Sequence, residues 1–280
     1  MSVIFGSCLE EWREYNAATV ENRKRKSERV DVLGIEFDGI SLDETVERVM
    51  QVAREGGPAF VVTPNVDHTN HFRKNREYRE SLREAHLVVA DGVPLLWAAK
   101  LLGTPLKGRV NGTDLFETLA EACAREGRSI FLTGGMPGVA EKCAEKLREV
   151  SPSLKVAGTY APAKGYLDNS EESAKMVGKA RDAKPDILFL GLPGPDAEIW
   201  IHRHYRECGV PVCMNVGASF DFVSGEVKRA PRFFQKTGLE WLHRLFTQPK
   251  KLWRRYIIGN PIFIFRVVAQ FLRTRLSRAK

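Results

Sequence analysis

The stretch Leu87-Val88-Val89-Ala90-Asp91-Gly92-Val93-Pro94-Leu95-Leu96 reads as a short buried strand that ends in an acid and a glycine and then runs into a helix. In an open α/β sheet, ligands bind in the crevice outside the carboxyl ends of the strands. An aspartate at that point serves core packing badly and chemistry well, so Asp91 is the leading candidate for a catalytic group. The competing reading is local, because aspartate caps helices and Asp-Gly pairs shape turns.

Other strand ends repeat the pattern. A first strand is expected over Val30–Phe37, and Ser41-x-x-Glu44 is a capping box that starts a helix to about Glu55. The strand Ala59–Thr63 ends in Thr63-Pro64-Asn65-Val66-Asp67-His68, and a polar helical segment, about His68–Ala85, leads to the strand carrying Asp91. Asp67 and His68 are rival bases there, with helix capping and a surface histidine as their plain readings. A helix near Pro94–Leu102 follows, and another is capped by Asn111 or Thr113. Ser129–Thr133 runs into Gly134-Gly135-Met136-Pro137-Gly138, where glycine amides before a helix can approach an anion. That loop is not GxGxxG, so a plain strand-to-helix turn explains it equally well. Strands at Lys155–Tyr160, Ile187–Leu190 and Pro211–Val216 alternate with helices. The alternation predicts a Rossmann-like, doubly wound, mostly parallel sheet with its polar strand ends on one edge.

Composition is that of a folded protein, and charge divides the chain. Fourteen Lys/Arg face the single acid Glu240 between Lys228 and Lys280, so the rest is net acidic although the whole carries +8. Three parts are expected: a polar extension over 1–28 with the run Arg23–Lys26, an α/β catalytic domain over 29–227, and a basic helical appendage over 228–280. In the last, Leu239, Leu242, Leu245 and Phe246 recur at helical spacing, as do Trp253, Tyr256 and Ile257, with Pro261 interrupting. Arg229, Arg232, Arg244, Arg254 and Arg255 lie among them, a pattern suited to an anionic membrane surface. An ordinary helical hairpin with a solvated basic face is the plain alternative. No window reaches roughly 18 uninterrupted apolar residues, so no transmembrane helix is expected. The five cysteines, Cys8, Cys123, Cys143, Cys208 and Cys213, are scattered as buried thiols of a reducing compartment are, with no metal-ligand spacing. No metal site is expected.

Taken together, Thr63-Pro64-Asn65, Ala90-Asp91-Gly92-Val93-Pro94, Arg109-Val110-Asn111-Gly112-Thr113-Asp114, Leu132–Gly138, Gly217–Phe222, Lys228-Arg229-Ala230-Pro231 and Gly238-Leu239-Glu240-Trp241 resemble the WecG/TagA/CpsF glycosyltransferases over about Val30 to Pro261. The resemblance implies inverting transfer of N-acetylmannosamine or a related sugar from a UDP-sugar to a polyprenyl-diphosphate-linked acceptor. It implies Asp91 as general base, Thr63 and Asn65 lining the site, and Arg109 on the donor diphosphate. It implies no cofactor beyond the donor substrate, and a cytoplasmic protein attached peripherally to the inner face of the plasma membrane. Physical chemistry agrees: without a metal, arginines and the amides of Gly134 and Gly135 must offset the charge that grows on departing UDP. In one segment, Gly191–Glu198, the family commonly has a glutamine where Ala197 stands, which leaves Asp196 or Glu198 to make its polar contact. A non-catalytic, membrane-associated binder of nucleotide-sugar or lipid is the alternative that this departure keeps open. Nucleic-acid binding is disfavoured, because the aromatics lie on helix faces with leucine and not on a stacking platform. A dinucleotide oxidoreductase lacks its GxGxxG. Self-association into a homo-oligomer is compatible with the sequence and not specified by it.

Overall fold

The computed structural model describes residues 29–231, 233–234 and 239–278; the expected extension over 1–28 and Arg232 lie outside the described residues. Six parallel strands form one sheet in the order β4-β3-β8-β7-β5-β6. They are β3 (Ala59–Val62), β4 (Leu87–Val88), β5 (Ser129–Gly134), β6 (Lys155–Tyr160), β7 (Ile187–Gly191) and β8 (Val212–Asn215). Side chains alternate across a strand, and the core divides accordingly. Phe60, Val62, Val88, Leu188, Leu190 and Cys213 enter one apolar layer, whereas Val61, Leu87, Ile187, Phe189, Val212 and Met214 enter the other. Helices α1 (Leu42–Glu55), α5 (Gly112–Glu126) and α6 (Val139–Val150) cover the second layer. Helices α2 (Val66–Lys74), α3 (Arg76–Glu84), α4 (Val93–Leu101), α7 (Ser170–Ala183) and α8 (Asp196–His204) cover the first. A short helix, α9 (Ser219–Val223), follows β8.

Several local expectations change. Val30–Phe37 is not one strand but a hairpin, β1 (Arg29–Val32) and β2 (Ile35–Asp38), paired antiparallel apart from the main sheet. Its two-residue loop puts both Leu33 and Gly34 at positive φ, 58° and 88°, the geometry of a tight hairpin turn. The polar segment after Asn65 is two helices, because Asn75 caps the second through Tyr78 N–H while ending the first in extended backbone. Strand β4 is only two residues long. Its free edge is held by Asp38, which accepts from Val88 N–H at 2.7 Å and from Arg29 Nε at 3.2 Å. The capping box at Ser41 and Glu44 is formed, and Gly56 closes α1 in the left-handed region.

The basic C-terminal stretch is helical: α10 (Glu240–Thr247), α11 (Pro249–Trp253), a wider π-helical segment Arg254–Gly259, and α12 (Asn260–Arg278). Pro261 does not interrupt it. A proline within a helix removes a donor and crowds the carbonyl four residues back, and the wide turn just ahead of Pro261 accommodates it. Arg254–Ser277 is thereby a single helix of 24 residues, long and apolar enough by length and composition to cross a membrane. The run is broken by Arg266 in sequence, which is why no uninterrupted apolar window announces it. This helix lies along the body. Phe263 and Val267 enter the first core layer, Gln270 accepts from Leu33 N–H at 2.9 Å, and Arg266 reaches the carbonyl of Thr69 and Oδ1 of Asn70.

Removing the Asp38 carboxylate takes the acceptor from Val88 N–H and leaves Arg29, among the described residues, with the Ala85 carbonyl alone, at 3.4 Å. Asp38→Ala is expected to destabilise the fold by about 2 kcal/mol, read as a lower urea midpoint with an unchanged denaturant slope.

Candidate active site

The carboxyl ends of β3, β4, β7 and β8 surround a cavity of about 350 Å³. It lies between the neighbouring strands β3 and β8, whose following helices α2 and α9 go to opposite faces of the sheet, the kind of crevice at which such sheets bind ligands. Thr63, Asn65, Asp91, Arg109 and Glu198 line it, as do Arg244 and Arg255 from the C-terminal helices. Gly134 and Gly135 do not line it. A Cβ on Gly134 would fall 2.6 Å from the Gly191 carbonyl oxygen, and one on Gly135 would fall 2.9 Å from Val139 Cβ. Close packing of β5 on β7 and on α6 accounts for both glycines. Arg229 sits behind the wall, bonded to Asp114 at 2.6 Å and to Asn111 Oδ1 at 3.3 Å. Arg254 is exposed, with its guanidinium over the Trp253 ring.

Asp91 does not cap the following helix: Gly92 stands at the cap position and no side chain bonds the first turn. Its backbone N–H donates to the Pro64 carbonyl, which ties it to the β3 end, and Oδ1 accepts from Asn111 Nδ2 at 3.2 Å. Burial pushes the Asp91 carboxyl up to about 6; the Arg109 guanidinium opposes this, and the Glu240 carboxylate reinforces it. Asn111 is fixed in turn as the cap of α5, accepting from Thr113 and Asp114 N–H. Arg109 spans two carboxylates at 3.8 Å each, Asp114 of α5 and Glu240 of α10. Arg255 donates to Asn65 Oδ1 at 2.8 Å and lies 3.5 Å from Asp67. Arg244 lies over the Phe222 ring, and its Nε has no hydrogen-bond partner among the described residues.

A second group of buried polar side chains forms the opposite wall. Asn215 accepts from Leu192 and Gly217 N–H through Oδ1, which turns its amide nitrogen onto Glu198 Oε1 at 2.9 Å. His68 Nδ1 accepts from Asn65 N–H at 3.1 Å. That bond assigns the ring proton to Nε2, which faces Glu198 Oε1 at 3.8 Å. Burial, with Arg255 nearby, pushes His68 down to about 3, and burial pushes Glu198 up against the pull of the Asn215 amide. A histidine so committed is a poor base, so His68 is a positioning group. Asp67 is engaged by Arg255. Ala197 is fully buried in the first core layer, away from the cavity, and Asp196 is not on its wall. The polar contact sought in this segment therefore falls to Glu198.

Sequence reading passed over Asn111 as more than a cap, and Asn215, Glu240, Asp221 and Asn260, which also line or tether the cavity. Glu240 carried a signal in being the sole acid of the basic stretch. Asn215, inside an apolar strand, carried another, since a buried amide needs partners.

A carboxylate and several arginines converging on the switch-point crevice of a parallel sheet are the layout of a group-transfer enzyme. The chain belongs to the glycosyl transferase WecG/TagA/CpsF family, whose model matches residues 30–277, and it is accordingly a glycosyltransferase. It is similar to the N-acetylglucosaminyldiphosphoundecaprenol N-acetyl-beta-D-mannosaminyltransferases of Staphylococcus aureus strains NCTC 8325 / PS 47, COL and MRSA252. Each is 29% identical over 264 residues, covering 94% of this chain and 100% of the relative.

The bond from Asn65 N–H makes a testable demand on His68. Its ring is expected to stay neutral, with the proton on Nε2, from pH 8 down to below pH 5, as read from the nitrogen chemical shifts of the imidazole. Protonation near pH 6.5 would contradict the geometry.

Proposed function

We propose that the protein transfers N-acetylmannosamine or a closely related sugar from a UDP-sugar, with inversion, to a sugar carried on a polyprenyl diphosphate in cell-surface polysaccharide biosynthesis. The observation that carries this reading is Asp91, a carboxyl at the switch-point crevice, raised to about 6 by burial and held by Asn111 opposite arginines. Asp91 takes the proton of the acceptor hydroxyl as that oxygen bonds to the anomeric carbon. The bond from the anomeric carbon to the donor phosphate breaks on the opposite face, and UDP leaves with the electron pair. A base with its pKa near 6 is ionised at neutral pH and still basic enough to accept the proton. The family and the acceptor named for its staphylococcal relatives support the same reaction.

The counter-charge for UDP falls to arginines. Arg109 is shared with Asp114 and Glu240, whereas Arg244 offers an uncommitted Nε at the cavity wall. Arg244 and Arg255 both come from the C-terminal helices, so these helices complete the site as well as flank it. Trp253, Ile257, Phe265, Leu272 and Leu276 project outward from the same helices, with Arg254, Arg273 and Arg275 exposed among them. Exposed apolar and aromatic groups mixed with arginines suit the interface of an anionic bilayer. A lipid-linked acceptor would meet the enzyme there, on the inner face of the plasma membrane.

Three outcomes test this reading. Asp91→Asn is expected to lower the turnover of UDP-sugar by about a thousandfold while donor binding measured calorimetrically stays within a few fold; near-normal turnover would remove Asp91 from the mechanism. The kcat/KM profile is expected to fall below pH 6 in the wild type, because protonated Asp91 cannot act as base. Glu240→Gln removes a negative neighbour and is expected to move that acid limb to lower pH. Deletion from Gly238 onward is expected to abolish binding to anionic liposomes; undiminished binding would discard the membrane role of the C-terminal helices.

A further inference from the structure

Two helices run from the catalytic cavity to one small hollow. On α4, Val93 lines the cavity and Leu101 lines a second, small hollow. They are eight residues apart, so Val93, Trp97 and Leu101 fall on one face. On α12, Asn260 lines the cavity, and Phe271, Thr274 and Arg275 line the same small hollow as Leu101. Asn260, Ile264, Val268 and Phe271 lie on one face by the same spacing. Phe263 and Val267 of α12 and Leu95, Ala98 and Ala99 of α4 turn inward to the same core layer. Arg266, by contrast, turns to the other side and meets Thr69 and Asn70 of α2.

The cavity at one end and the hollow at the other mark a trough between the two helices. Its rims stay unpacked: Trp97 is 67% exposed and Ile264 60% exposed. From the cavity to the hollow it runs about 12 Å along α4 and about 16 Å along α12, at about 1.5 Å per residue. Neither stripe bears a charge until Arg275, whose guanidinium lies over the Phe271 ring at the far end. At the near end the cavity supplies Arg244 and Arg255.

Large exposed apolar side chains arranged as one stripe mark a binding surface, and this stripe starts at the catalytic carboxylate. The geometry points to a subsite for the isoprenoid chain of the acceptor: its first units lie in the trough between α4 and α12, its diphosphate at the cavity arginines, and its sugar at Asp91. This rests on the lipid-linked acceptor proposed above and adds the body helix α4 to the lipid contact. An apolar chain matches a stripe without ions, and no anionic or polar ligand does. A bilayer resting on α12 alone would use the outward face, where Phe265 is 75% exposed, and would have no need of Trp97.

The test compares two acceptors in detergent solution: N-acetylglucosamine on a diphosphate carrying a long polyprenyl chain, and the same head group on a short alkyl chain. Trp97→Asp and Ile264→Asp are expected to cut kcat/KM for the long-chain acceptor by about tenfold or more, leaving the short-chain acceptor unchanged. Phe265→Asp, on the outward face, is expected to leave the ratio of the two as in the wild type. Equal losses with both acceptors, or an unchanged ratio in the trough variants, would overturn the subsite even if liposome binding fell. If the aspartate variants fail to fold, Trp97→Ala and Ile264→Ala are read by the same ratio. Wild-type inactivity toward both acceptors across UDP-sugar donors would instead overturn the proposed reaction, so the two failures are distinguishable.

Discussion

Strand β3 pairs in parallel with β4 on one side and with β8 on the other, and the site depends on that double pairing. The helix that leaves β3, α2, covers one face of the sheet, whereas the short helix that leaves β8, α9, packs against α5 and α6 on the other, so the carboxyl ends of these two neighbouring strands open into a crevice. Thr63 and Asn65 continue β3 into it. Asp91 arrives from β4, pinned by its amide to the Pro64 carbonyl, and Asn215 arrives from β8. A shift of one residue in either pairing would turn these polar groups onto the opposite faces. The buried Asp38 at the outer edge of β4 holds a two-residue strand in register when its own length gives little hold.

The polar groups around the crevice are ordered by one another. Asn111 caps α5 with its oxygen and presents its nitrogen to Asp91. Asn215 takes two backbone amides with its oxygen and presents its nitrogen to Glu198. In both cases local backbone bonds decide which end of a symmetric-looking amide faces the cavity. His68 follows the same logic, with Asn65 N–H settling which nitrogen carries the proton. A carboxyl in such surroundings keeps its orientation while its charge state is set by burial.

Much of the frame was legible in the sequence because its signals were local. Alternating strands and helices, the capping box at Ser41, the glycine stops and the polar residues after Thr63 and Ala90 all follow from short-range chemistry. The parallel sheet and the crevice at Asp91 followed from them. Readings that needed long-range information fared differently. Gly134 and Gly135 look like an anion loop locally, but they are small because β7 and α6 press on them. Val30–Phe37 has the composition of one strand, and only the positive φ at Leu33 and Gly34 bends it back on itself. Ala197 looked like a missing contact, yet the helix turns it to the core and its neighbour Glu198 to the cavity. The pairing of Glu240 with Arg109 joins residues 131 positions apart in a segment with no strand register to announce it.

Arg109 is held between Asp114 and Glu240, and this has a kinetic consequence. A guanidinium already sharing its charge with two carboxylates gains less from an arriving diphosphate than a bare one would, since part of the attraction replaces an existing one. The same carboxylates wait to reclaim the arginine when the anion departs. In the reaction proposed above, which releases a doubly phosphorylated nucleoside after every transfer, such a standing competitor is an advantage. Affinity forgone on arrival shortens the time that the spent nucleotide occupies the site.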